Sequence, residues 1–127
     1  MMSGERERAL RTAWEVNVSA AMAADEDAYA SFLAISDRRA VAVPVIQAQM
    51  QAVVAHDTSA RLPELQIPTL VVHGTEDQML PLANGRLLAS LIAPSRLEIL
   101  EGVGHMFFWE RPQRSAELVR AHAVVPA

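Results

Sequence analysis

"IPTLVVHGTEDQMLPLANGRLLASLIAPSRLEILEGVGHMFFWERP", residues 67–112, is the stretch that decides the fold. It begins with a compact apolar run, "TLVV", made of a threonine, a leucine and two β-branched valines, entered through Pro68 and left at Gly74. Such a run reads as a buried strand of about five residues, as parallel sheets favour. "LANGRLLASLIA" then places Leu87, Leu88, Leu91 and Ile92 at helical spacing before Pro94 ends it. "SRLEIL" gives a second strand, and "PQRSAELVRAHAVV" a closing helix opened by Pro112 in its first turn. Strand, helix, strand, helix implies a right-handed parallel crossover.

Each strand end offers a residue with chemistry. After "TLVV" comes "HGTEDQMLP" with Asp77; after "LEIL" comes "EGVGHMF" with His105. In open α/β sheets, ligands and chemistry collect at the carboxyl ends of parallel strands. If the two strands are parallel neighbours, both loops emerge on one side and an acid meets an imidazole. A carboxylate bonded to one ring nitrogen fixes the tautomer, stabilises the imidazolium and leaves the other nitrogen as a general base.

The first half has another texture. Residues 5–57 read as helical throughout. Leu10, Trp14, Val18 and Met22 recur at four-residue steps and share one stripe; Tyr29, Phe32 and Leu33 share a face. "VPVIQAQMQAVVAHD" opens with Pro44 and repeats apolar residues at Ile46, Met50, Val53 and Val54. No internal repeat or low-complexity tract is visible.

Composition narrows the function classes. With 51% apolar and 20% charged residues, the 127-residue chain is not of disordered type and forms one domain at most. It has no cysteine, which excludes disulfides and thiolate metal sites. A net charge of −4 gives no electrostatic reason to expect nucleic acid or an anionic membrane as partner. "MMSGERERAL" is charged and lacks an apolar signal core, and no run approaches membrane-spanning length, so the expected location is cytoplasmic.

Residues 61–122 resemble the C-terminal third of the α/β-hydrolase fold superfamily. The resemblance rests on "HG" before the acid, Pro81 after it, the intervening helix, and "GxGH" followed by "ERP". It implies an α/β fold in two parts: a helical lid or cap remnant at 1–60, and a C-terminal core segment at 61–127. It also implies that Asp77 is the acid and His105 the histidine of a hydrolytic triad acting on ester or similar acyl bonds. The family's chain order is nucleophile, acid, histidine, with the nucleophile on a strained G-x-S-x-G turn. None of the serines, at 3, 19, 31, 36, 59, 90, 95 and 115, stands in that motif. The expectation is therefore a chain beginning inside the lid, holding two triad members and inert alone. It would need no cofactor or metal, and would pair with itself or with a complementary N-terminal half. The alternative is a non-catalytic remnant that binds or oligomerises through its open sheet edge.

Blander readings stand beside these. Asp77 can serve simply as a turn residue, and His105 as a buried, satisfied imidazole. His73 reads as a strand-ending structural residue. A metal site from His73, Asp77 and His105 resembles no known ligand frame. His56 and His122 fall on helix surfaces. "MFFW" reads as core or lid packing, Glu110 and Arg111 as a local pair, Trp14 and Tyr29 as core, and "DEDA" as a solvated helix start.

Overall fold

The computed structural model of the chain describes residues 4–38 and 41–124. Ser3, Arg39, Ala40 and Val125, which fall within stretches read above, lie outside the described residues.

Four helices come first: α1 (Gly4–Asn17), α2 (Ala20–Ala23), α3 (Glu26–Arg38) and α4 (Val43–Ala55). A 3-10 turn at Leu62–Glu64 leads into β1 (Thr69–Gly74), α5 (Leu82–Leu91) and β2 (Ser95–Leu100). The short α6 (Phe107–Glu110) and α7 (Pro112–Ala123) close the chain. β1 and β2 form a two-stranded parallel sheet, in register from Thr69 against Ser95 to Gly74 against Leu100. The strand–helix–strand–helix order read from the sequence is present over the described residues, with Pro112 in the first turn of α7.

Of the expected stripe, Trp14 and Val18 are buried in the core, Met22 packs against them and Leu10 is half-buried, but the four do not lie on one helix. α1 ends at Asn17, and Ser19 caps a new turn by accepting the Met22 N–H at 3.3 Å. The break has an external cause. The N–H of Ser19 and its hydroxyl both donate to the carboxylate of Glu110, and the Asn17 carbonyl accepts the Met106 N–H at 2.8 Å. Backbone groups needed to continue the helix are held by the far end of the chain instead. α3 starts as its acidic residues suggest: Asp25 accepts the Ala28 N–H at 2.9 Å, and Glu26 and Asp27 occupy the first turn.

The helical core is centred on Trp14 and Val18, both fully buried, with Tyr29 beside them. Phe32, Leu33, Met106 and Trp109 pack around this centre. Trp109 meets Trp14 edge to face with ring centroids 6.1 Å apart, so the stretch "MFFW" supplies core to the helical half through its first and last members. Phe108 points outward instead.

Two details lie beyond the sequence pattern. On α5, Leu87 and Leu88 are exposed; the helix seats itself through buried Gly85, with Ile92 buried just past its end. Glu110 is not a local partner of Arg111. The Arg111 guanidinium reaches only the Glu110 carbonyl, at 3.1 Å, while the carboxylate turns inward. Turned inward, the carboxylate gains charge-assisted hydrogen bonds from backbone N–H groups in an enclosed place.

Candidate active site

The two strands continue to pair after they end. Beyond β1 the Thr75 N–H donates to Leu100 O at 3.0 Å and the Glu76 N–H to Val103 O at 2.9 Å. The Gly102 N–H returns a bond to Thr75 Oγ1 at 2.9 Å. The two loops are therefore zipped before the chain reaches Asp77 in one and His105 in the other. Glycines make this possible. Gly102 turns the chain with φ +66, a conformation that side chains rarely adopt. A Cβ on Gly74 would lie 2.1 Å from Val103 O, and one on Gly104 would lie 2.5 Å from the backbone of Val18.

The zipper brings Asp77 and His105 together. Asp77 Oδ2 lies 2.8 Å from His105 Nδ1, and Oδ1 accepts the N–H groups of Met79 and Leu80 at 2.9 Å each. A carboxylate only accepts, so Nδ1 carries the proton and the neutral ring has its lone pair on Nε2. The Asp77 side chain is 5% exposed and that of His105 is 38% exposed. The acid is thus sheltered while the imidazole opens outward. Burial pushes the Asp77 carboxyl upward; the Leu80 N–H, the hydrogen bond and charge of His105, and the Met79 N–H outweigh it, so the group sits below the usual carboxylate range.

A third side chain reaches the same carboxylate. His73, in β1, is buried, with Nε2 3.8 Å from Asp77 Oδ2. The sequence reading gave it a structural role only. His56, at the C-terminal end of α4, is exposed; His122 is half-buried on α7 and its Nε2 lies 3.2 Å from Pro68 O. Among the described residues no cluster of three or more His, Cys, Asp or Glu side chains is arranged to hold a metal ion.

The floor under the histidine loop is Glu110, which the sequence did not reveal as a site residue. It is 7% exposed and accepts three bonds: from the Ser19 N–H at 3.0 Å, from the Ser19 hydroxyl, and from the Gly104 N–H at 2.7 Å. It thereby ties the residue before His105 to the break between α1 and α2. Nearby, the Ala20 N–H donates to Glu76 and the Gln78 amide to the Glu15 carbonyl. The end of α1 and the start of α2 thus touch both loops.

A parallel β–α–β unit with an aspartate after one strand and a histidine after the next is the arrangement that the α/β-hydrolase resemblance implied. The sequence profile of the alpha/beta hydrolase fold matches residues 15–112, and the chain belongs to that family. Over 56 residues it is 36% identical to the monoacylglycerol lipase ABHD6 of Mus musculus, covering 44% of this chain and 17% of the lipase. The esterase EaEST from Exiguobacterium antarcticum superposes with a TM-score of 0.70 at 27% identity, covering 94% of this chain and 43% of the esterase. Rv0554 from Mycobacterium tuberculosis superposes with a TM-score of 0.78 at 20% identity, a likeness of fold, covering 100% of this chain and 46% of that one. The chain spans about half the length of these solved relatives. Among the described residues no helix is long and apolar enough to cross a membrane.

Proposed function

We propose that this chain supplies the acid and the base of an acyl-hydrolase site whose nucleophile comes from another polypeptide or from a segment upstream of these residues. The observation that carries the reading is the 2.8 Å contact between Asp77 Oδ2 and His105 Nδ1. Asp77 fixes the ring so that Nε2 is bare. Nε2 takes the proton of an attacking hydroxyl, the imidazolium is held by the carboxylate, and the proton returns to the leaving group. Small esters are the substrates best supported, because esterases and a lipase are among the relatives. Asp77 and His105 are the residues we assign to the reaction.

The chain alone lacks the G-x-S-x-G turn, and we expect it to be inert on p-nitrophenyl acetate. Mixed with the N-terminal segment of a related esterase that carries this turn, it should hydrolyse the ester, and His105→Ala should abolish that gain. Hydrolysis by the chain alone that is lost with His105→Ala would overturn the need for an outside nucleophile. A reconstituted activity indifferent to His105→Ala would overturn the role of the histidine.

A second reading is favoured by α4. Every residue from 41 to 57 is exposed, including Val43 at 64%, Val53 at 66% and Val54 at 84%. Apolar surface of this kind favours association. In that reading the chain acts through assembly, with itself or with a complementary half, and the imidazole has no task. Sedimentation of the isolated chain separates the two: a monomer at micromolar concentration counts against assembly with itself.

A further inference from the structure

The buried side of the Asp77 carboxylate faces a second imidazole whose chemistry is unfinished. His73 Nδ1 lies 3.0 Å from the Gly74 carbonyl oxygen. A carbonyl oxygen only accepts, so Nδ1 carries a proton. The neutral ring then presents a bare Nε2, which is buried without a hydrogen-bond partner and lies 3.8 Å from Asp77 Oδ2. Two lone-pair atoms facing each other in an enclosed place repel. A proton on Nε2 reverses the sign of the contact, completes the ring's bonding and sets a positive charge against the carboxylate.

The packing holds the ring to this task. Gly85 of α5 lies flat against it, and a Cβ there would stand 2.8 Å from His73 Cδ2. A glycine inside a helix weakens it by about 1 kcal/mol relative to alanine. Here the space it leaves is filled by the imidazole. On the other side of the pair, Asp77 Oδ1 is pinned by two N–H groups, so Oδ2 is the atom free to choose between His105 and His73. Among the described residues, the ionisable group paired with the His73 ring is Asp77, and His105 shares the same oxygen. β2 places Ile99 in register with it, α5 offers Gly85, and Glu76 is turned toward the Ala20 N–H.

We propose that His73 is a positioning residue for Asp77 that works by protonation. Protonated, it draws Oδ2 to itself and shares the carboxylate with His105; neutral, it leaves that oxygen to His105. Its value as a control on a base rests on the acid–base reading above. The ring chemistry does not.

Nitrogen-resolved NMR of the imidazoles in the full chain tests this without substrate. In the unmodified chain, His73 Nδ1 should carry a proton in both the neutral and the charged form of the ring. On acidification its Nε2 signal should move from the bare to the protonated type, and the His105 Nδ1–H proton should shift upfield in the same step. In His73→Gln that step of the His105 signal should vanish. A His73 proton found on Nε2 with Nδ1 bare, or a His105 step unchanged in His73→Gln, overturns the proposal. If His73→Gln loses its fold, Asp77→Asn reads the same coupling from the other side: His73 Nε2 should then stay bare further into acid, and an unmoved transition overturns the proposal. An inactive reconstituted esterase would leave these signals readable, and an uncoupled His73 would leave the esterase test intact.

Discussion

α3 and α4 are both 13 residues long, and α4 is the more apolar, with no charged residue in "VPVIQAQMQAVVA". Yet α3 buries Tyr29 and packs Phe32 and Leu33 against Trp14, while α4 buries nothing. Apolar content therefore does not decide which helix joins the core; a partner does. α3 has one because Trp14 is itself held by Trp109, four residues beyond His105 in the chain. The part of the helical half that is packed is the part that touches the histidine loop.

The largest effect should come from breaking that shared centre. Trp14→Ala should cost about 3–5 kcal/mol of unfolding free energy, read by urea titration. Next is Glu110→Ala, which strands the buried N–H groups of Ser19 and Gly104. A loss of about 2–4 kcal/mol is expected, with the His105 signals disturbed although the substitution lies in another element. Gly85→Ala sharpens the comparison inside the α/β unit. It gains helix propensity but collides with the His73 ring, and should lose about 1–2 kcal/mol on balance.

Acid probes the site itself. The Asp77 carboxyl is held below its unfolded value, so its contribution is present at neutral pH and is lost as pH falls through the folded value. Asp77→Asn should therefore be the less stable chain at neutral pH, by on the order of 1 kcal/mol, and the two should converge in strong acid. A gap that persists in acid would show that the carboxylate charge is not the cause. The smallest effect belongs to α4. Val54→Ala should change stability by about 0.5 kcal/mol or less, and a larger loss at low protein concentration would mean that α4 packs on something within the chain.

How far these features were legible in the sequence depends on their range. β1, β2, α5 and α7 were, because short apolar runs and helical spacing bounded by Pro68, Gly74, Pro94 and Pro112 are local signals. The meeting of Asp77 and His105 followed from strand polarity and from the family resemblance. The break at Val18–Ser19 was not legible, since the four-residue apolar rhythm runs straight through it. Its cause is a carboxylate 91 residues away. Glu110 was misread for the same reason: next to Arg111 it looks like half of a surface pair, and nothing local announces that backbone N–H groups will claim it. His73 looked structural because its neighbour in space, Asp77, is separated from it by a turn whose shape the sequence leaves open.

The ties from Asn17 to Met106, from Ser19 to Glu110 and from Ala20 to Glu76 all cross the stretch from 41 to 57, which is exposed along its whole length. Limited proteolysis there should nick the chain without separating its pieces. Under native conditions the two fragments should co-elute as one particle, and only denaturant should part them. Such co-elution would mean that these distant handholds, and not the covalent thread, keep the two pieces together.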